Sequence, residues 1–235
     1  MPYAHSFLAE LPTNRLLAEF SLWSADLVRM ADDVARVDKF VDIYHADVSD
    51  GQFSPALLLF PDLMAQVRTL TTKPIHVHLM VEDKILIDQI DQFAEAGADV
   101  ISIHAENNNL IEGLDRLASK DIAAGVVMQL HTPVEAADAW LDRIAILTLL
   151  GTKMGIKGVG LDPDAEARLS VARNMIDRHA GNNRILLAAD GGIREHTVPG
   201  LRQSGADTIV MGSLAFGTDD LAARMSWVRG LAVQD

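Results

Sequence analysis

The 235-residue sequence contains no cysteine. Disulfides, thiolate nucleophiles and cysteine-based zinc sites are therefore excluded. Basic charge is in deficit as well: 20 Lys and Arg stand against 33 Asp and Glu, a formal charge of −13. A nucleic-acid binder needs a basic surface to displace counterions, so that class is set aside. An acidic chain acting on an anionic substrate must offer a local cationic site instead, from backbone N–H groups, a metal ion or a lysine. Aromatic residues make up only 5 %, and Trp23, Trp140 and Trp227 are scattered, with no stacking platform. No apolar run approaches the roughly 18 residues that suggest a membrane span. The stretch Met1 to Ala18 carries Glu10 and lacks the basic-then-apolar order of a signal peptide. No membrane partner and a cytoplasmic location are the expectations.

What the sequence has is a recurring unit. Short apolar runs lie near Leu16–Trp23, Val41–Val48, Ile75–Met80, Val100–His104, Ala124–Leu130, Ile144–Leu150, Ile185–Ala189 and Thr208–Met211. Several are β-branched and nearly continuous, as parallel strands buried on both faces are. Between them lie segments with helical periodicity: Ala25–Val37, Leu58–Leu70, Ile85–Ala96, Asn109–Leu117, Pro133–Leu141, Ala165–Arg178, Glu195–Ser204 and Asp219–Leu231. Pro133 suits the first turn of its helix, with Thr132 as the cap. Eight units of about 29 residues each, from 235 divided by 8, predict a (β/α)8 TIM barrel. An open doubly wound sheet is the alternative, weakened by the lack of Gly-x-Gly-x-x-Gly after the first strand. The expected organisation is one barrel over residues 1–235, with a short N-terminal extension over about 1–15.

In such a barrel, chemistry sits at the C-terminal ends of the strands. His45 and Asp47 are two apart on one strand and share a face; so do His76 and His78. The fourth strand ends in His104 and Glu106, the fifth in Gln129 and His131, and the seventh in Asp190. Two imidazoles and two carboxylates at a barrel mouth form a plausible divalent metal site. Hydrogen-bonded or capping polar residues at strand ends are the competing reading. The pairs Gly191-Gly192 and Gly212-Ser213 let backbone N–H groups approach a phosphate, unless Gly191-Gly192 is simply a tight turn.

These residues fall into blocks that resemble the ribulose-phosphate 3-epimerase family over about Phe20 to Gly217. The blocks are Phe20-Ser21-Leu22-Trp23-Ser24-Ala25-Asp26, His45-Ala46-Asp47-Val48-Ser49-Asp50-Gly51-Gln52-Phe53-Ser54-Pro55, Val77-His78-Leu79-Met80-Val81, Gly97-Ala98-Asp99 to His104-Ala105-Glu106, Asp190-Gly191-Gly192-Ile193, and Gly212-Ser213 to Phe216-Gly217. The resemblance implies a barrel of the ribulose-phosphate-binding type and a metal-dependent 3-epimerase of a ketose phosphate, acting through a 2,3-enediolate. It makes His45, Asp47, His78 and Asp190 the ligands of one divalent ion (zinc, iron(II), manganese or cobalt). It makes Asp47 and Asp190 the acid–base pair, and gives His76 a supporting place. Ser21 and Met80 match substrate contacts; Gly191, Gly192, Gly212 and Ser213 match phosphate contacts. A homo-oligomer, dimer or hexamer, is also implied.

The departures concern substrate. Ser49 stands where the family has methionine, and Ala56 where it has asparagine. The family's Asn-Pro-Gly-Phe-Gly-Gly-Gln loop is replaced by Leu150-Gly151-Thr152-Lys153-Met154-Gly155-Ile156-Lys157-Gly158-Val159-Gly160. Gly155, Lys157 and Gly158 are read as a substitute phosphate clamp, unless Lys157 is simply a solvated loop lysine, and His131 as either a site or a surface residue. A hexulose or tetrulose phosphate then competes with the pentulose phosphates as substrate. A phosphosugar decarboxylase would carry Asp-x-Lys-x-x-Asp on a strand, whereas Asp83-Lys84 has the wrong spacing. A non-catalytic sugar-phosphate binder would be expected to lack one of the four ligand-type residues.

Overall fold

The computed structural model describes residues 6–179, 181 and 184–232. Residues 1–5 of the expected N-terminal extension lie outside the described residues, as do 233–235. Eight parallel strands form a closed barrel in chain order: β1 (Leu17–Ser21), β2 (Ile43–Ser49), β3 (Ile75–Met80), β4 (Val100–His104), β5 (Ala123–Met128), β6 (Ile146–Leu150), β7 (Leu186–Asp190) and β8 (Thr208–Met211). Pairing of β1 with both β2 and β8 closes the ring and excludes the open sheet. The chain is thus a (β/α)8 TIM barrel. The strands are buried along nearly their whole length, which explains their continuous apolar character.

The helices are α1 (Ser6–Glu10), α2 (Met30–Val37), α3 (Pro61–Arg68), α4 (Asp83–Glu95), α5 (Leu110–Ser119), α6 (Ala165–Arg178), α7 (Val198–Gln203), α8 (Ser213–Phe216) and α9 (Leu221–Arg229). On α4, Leu86, Ile90 and Phe93 recur at three- and four-residue spacing and are fully buried. Each such side chain contributes about 1.5–3 kcal/mol by leaving water.

α3 and α7 begin three residues later than the expected Leu58 and Glu195, and two other helices differ more. α2 begins at Met30 rather than Ala25, because the Asp26 carboxylate accepts from the N–H groups of Val28 and Arg29 and folds that stretch into a turn. Pro133–Leu141 is replaced by a 3-10 helix over Val134–Arg143. Pro133 stays extended just before it, and Ala136 N–H bonds back to Pro133 O, the three-residue step of a 3-10 helix. Thr132 does not cap it, since the Thr132 hydroxyl donates to Glu106.

Two apolar clusters hold the barrel. The larger lies between the sheet and the helices. The smaller fills the N-terminal end of the barrel, where Leu8 and Leu11 join Leu17, Ile43, Val100, Ile146 and Leu186. Arg184 fixes that end, donating to the carbonyls of Leu8 (2.7 Å), Leu11 (2.9 Å) and Pro12 (2.9 Å). Among the described residues no helix is long and apolar enough to cross a membrane.

Candidate active site

Strand register places the polar residues. His45 lies beside His76 and Asp47 beside His78 across β2 and β3, while Asp190 ends β7 opposite Leu150. The two-residue period turns all four β2 and β3 side chains into the barrel. Ligand-type atoms of His45, Asp47, His78 and Asp190 lie within 4.8 Å of one another. His45 Nε2 and His78 Nδ1 are each 3.4 Å from the same oxygen, Asp47 Oδ1, and His78 Nδ1 is 3.7 Å from Asp190 Oδ2.

These spacings suit atoms that share an ion rather than a hydrogen bond. Ligands about 2.0–2.1 Å from a tetrahedral ion stand about 3.4 Å apart. His45 Nε2 and His78 Nδ1 are also buried without a hydrogen-bond partner, a costly state that an ion would relieve. The donor set of two imidazoles and two carboxylates accepts a divalent transition metal. Ser21 Oγ donates to the other Asp47 oxygen at 2.7 Å and fixes that carboxylate.

Charge separates the two carboxylates. Burial pushes the Asp47 carboxyl up, but His45 and His78 outweigh it and hold the group well below the usual range. Burial pushes Asp190 up to about 6, with neighbouring Asp47 adding and His45 and His78 opposing. An ionised carboxylate beside one that takes up a proton near neutrality can move protons in both directions.

Above this group opens a cavity of about 300 Å³. Ser21, Met80, Asp47, His78, Asp190, Gly155, Lys157, Gly158, Gly191, Gly192, Gly212 and Ser213 all line it. His45 lies beneath, fully buried. The β6–α6 loop spans the mouth. Lys157 Nζ donates to Trp23 O at 2.6 Å and sits 4.6 Å from the Trp23 ring centroid. Burial lowers the Lys157 ammonium from its ordinary value, with Asp47 opposing. A Cβ on Gly155 would stand 2.1 Å from Ser54 Oγ, so the loop presses on the β2–α3 connection there. Gly191 has φ +86°, and its Cβ would stand 2.3 Å from Thr152 Oγ1. That glycine is required by close packing of two loops as well as by its turn.

Some expected residues fall elsewhere. His131 is exposed and does not line the cavity. Asp50 is structural: its carboxylate accepts from the N–H groups of Gln52, Phe53 and Glu82. Ser49, at the methionine position, donates to Ala56 O at 2.7 Å and ties down the β2–α3 loop. Sequence reasoning gave no place to Lys153, Thr152 or Arg194, which also line the cavity. It also passed over Glu19, a carboxylate with no exposed surface inside the apolar run of β1.

A family model described as the ribulose-phosphate 3 epimerase family matches residues 17–216. The chain belongs to that family. A ribulose-phosphate 3-epimerase of Bacillus subtilis (strain 168) is 32 % identical over 212 residues, covering 89 % of this chain and 96 % of the relative. Ribulose-phosphate 3-epimerase 1 of Cupriavidus necator is 33 % identical over 204 residues, covering 85 % and 84 %. This family member is accordingly an isomerase of the epimerase type, and a phosphosugar substrate fits it. Two solved structures share the fold alone. A 3-hexulose-6-phosphate synthase has TM-score 0.64 at 16 % identity, covering 93 % of this chain and all of its own. An orotidine 5'-phosphate decarboxylase from Pyrococcus horikoshii OT3 has TM-score 0.63 at 13 % identity, covering 90 % and 97 %.

Proposed function

We propose that this epimerase inverts C3 of a ketose phosphate, with a divalent ion held by His45, Asp47, His78 and Asp190. The observation that carries the reading is the convergence of two carboxylates and two partnerless imidazole nitrogens on the floor of one cavity. Zinc, iron(II), manganese and cobalt all suit the donor set. When bound, the ion supplies Lewis-acid stabilisation of negative charge on substrate oxygen.

The proton chemistry belongs to the chain. One of Asp47 and Asp190 takes the C3 proton, and the C–H electron pair forms the 2,3-enediolate. The other returns a proton to the opposite face of C3. Inversion needs two groups because one fixed base reaches only one face. Ser21 holds Asp47 in place through the Asp47 Oδ2 bond. Met80 borders the substrate chain, being buried at the cavity wall. Gly191, Gly192, Gly212 and Ser213 offer backbone N–H groups to the phosphate, and Gly155, Lys157 and Gly158 close over it.

The substrate is D-ribulose 5-phosphate with D-xylulose 5-phosphate, or a related pentulose, hexulose or tetrulose phosphate. The replaced β6–α6 loop favours a sugar phosphate other than D-ribulose 5-phosphate. A panel of ketose phosphates, incubated in deuterium oxide with added Mn²⁺ or Zn²⁺ and followed by NMR, tests this. Exchange at C3 with inversion is expected on at least one sugar. Tight binding without exchange would overturn the epimerase reading in favour of a binder. Turnover on D-ribulose 5-phosphate matching that of the curated relatives would sink the altered substrate.

We further propose that the chain is one barrel domain with an N-terminal extension, located in the cytoplasm and assembled as a homo-oligomer, a dimer or a hexamer. Limited proteolysis, cell fractionation and sedimentation check these three in turn.

A further inference from the structure

We propose that two carboxylates outside the donor set, Glu19 and Glu106, are positioning residues that set the tautomers of the two ligand imidazoles. They leave His45 bare at Nε2 and His78 bare at Nδ1. The proposal rests on the metal site of the preceding section and adds what orients its nitrogen ligands.

The hydrogen-bond chain can be followed atom by atom. Glu19 Oε2 meets His45 Nδ1 at 2.9 Å and His76 Nδ1 at 2.7 Å. An ionised carboxylate only accepts, so both Nδ1 atoms carry hydrogen. The other His76 nitrogen, Nε2, then accepts from the Ser102 hydroxyl at 2.6 Å. A His45 that gives up its second proton to an ion keeps its hydrogen at Nδ1 and presents its lone pair at Nε2. On the other side, Glu106 Oε1 accepts from Gln129 N–H and the Thr132 hydroxyl, while Glu106 Oε2 accepts from His104 Nδ1 at 2.9 Å. Neutral His104 is then bare at Nε2 and accepts from His78 Nε2–H at 2.9 Å. That leaves the His78 lone pair at Nδ1.

The two nitrogens this chain leaves bare are the two imidazole nitrogens found buried without a partner. They are also the two that stand 3.4 Å from Asp47 Oδ1. Hydrogen-bond logic and spacing thus select the same pair of atoms independently. Distance also tells the two buried clusters apart. Glu19, His45 and His76 are ligand types within reach of one another, but they meet at 2.7 and 2.9 Å. Those are hydrogen-bond lengths. The Glu19 group is a brace beneath the ion site, and a metal-bound histidine with its second N–H fixed by a carboxylate is a recurring support.

The test uses Zn²⁺ as the probe and two readouts that do not depend on turnover. Zinc affinity is measured by competition with a chromophoric chelator. Ring tautomers in the zinc-loaded protein are read from ¹⁵N–¹H long-range correlations. Wild type is expected to show His45 with hydrogen at Nδ1 and His78 with hydrogen at Nε2, opposite tautomers in one site. Glu19→Gln and Glu106→Gln are each expected to weaken zinc binding about 10- to 100-fold. Each should change the ring signals of its own histidine and leave the other's in place. Glu106 is partly exposed, so its variant keeps the test open if the buried Glu19→Gln fails to fold. A merely structural role would lower the melting temperature while leaving ring tautomers and affinity as they were; that result overturns the proposal. The same tautomer on both ligands overturns it too. Absence of zinc binding by wild type defeats the metal reading itself, and this inference with it.

Discussion

The two halves of the barrel are built from different chemistry. Strands β1–β4 carry Glu19, Tyr44, His45, Asp47, His76, His78 and His104. Strands β5–β8 carry one titratable side chain, Asp190. The second half contributes loops instead, with Gly155, Gly158, Gly191 and Gly192 all at positive φ around the cavity. One half holds a fixed array of side chains, and the other offers backbone, Asp190 and the cations Lys153, Lys157 and Arg194. Under the proposed function the acid–base pair draws one aspartate from each half, while the phosphate contacts come from the second. The loop after β6, read from the sequence as a replacement of the family's glycine-rich segment, lies in the half that does not hold the histidines.

The sharpest way to break this division is through the two aspartates, one from each half. Asp47→Asn and Asp190→Asn should each lower kcat about 10³-fold, read as C3 exchange in deuterium oxide. Retention of more than a tenth of the activity in either would remove that residue from the acid–base pair. Metal removal comes next. Chelation should abolish exchange and lower the melting temperature by about 5–10 °C, the effect of losing a ligand held near 100 times its Kd in a chain of this size. Readdition of Mn²⁺ or Zn²⁺ should restore both.

In the loop half, Lys157→Met should raise KM about tenfold with kcat little changed, as expected for loss of a charge-assisted hydrogen bond to the substrate phosphate. An unchanged KM would confine Lys157 to its bond with Trp23. Gly191→Ala tests the backbone more gently. A side chain there is strained by about 1–3 kcal/mol and must displace Thr152. Thermal unfolding should show a loss of a few degrees, with intact metal affinity.

The smallest effect concerns pH. Burial pushes the Glu106 carboxyl up, but His104, the Thr132 hydroxyl and Gln129 N–H outweigh it and bring it to about 2. A depressed value stabilises the fold fully above the ordinary glutamate range, and the contribution fades as pH falls toward 2. The urea midpoint of Glu106→Gln should therefore fall less steeply than that of wild type between pH 5 and pH 3. Parallel slopes would remove Glu106 from the acid response.

Much of the architecture was legible before the structure. Ile75–Met80, Val100–His104, Thr208–Met211 and Ala165–Arg178 have the limits that their periodicity predicts. Buried parallel strands and amphipathic helices leave strong local patterns. The start of α2 and the 3-10 helix were not legible, because side-chain bonds from Asp26 and Thr132 decide them. In the site, the spacings 45/47 and 76/78 bring side chains to one face by strand geometry alone. Glu19 was hidden because one polar residue in an apolar run has no periodic signature. The contact of Lys157 with Trp23 joins residues 134 apart in sequence, which no local pattern encodes.

The seal at the foot of the barrel has a consequence for the order of assembly. Arg184 reaches back to Leu8 across 176 residues of chain. During synthesis, Leu8 and Leu11 leave the ribosome long before the strand entry that clasps them exists. Their cover of β1 to β7 residues is complete only once β7 is made, so this closure belongs to the last stage of folding. A nascent chain halted before residue 184 should expose both leucines to chaperones, while the full-length chain hides them.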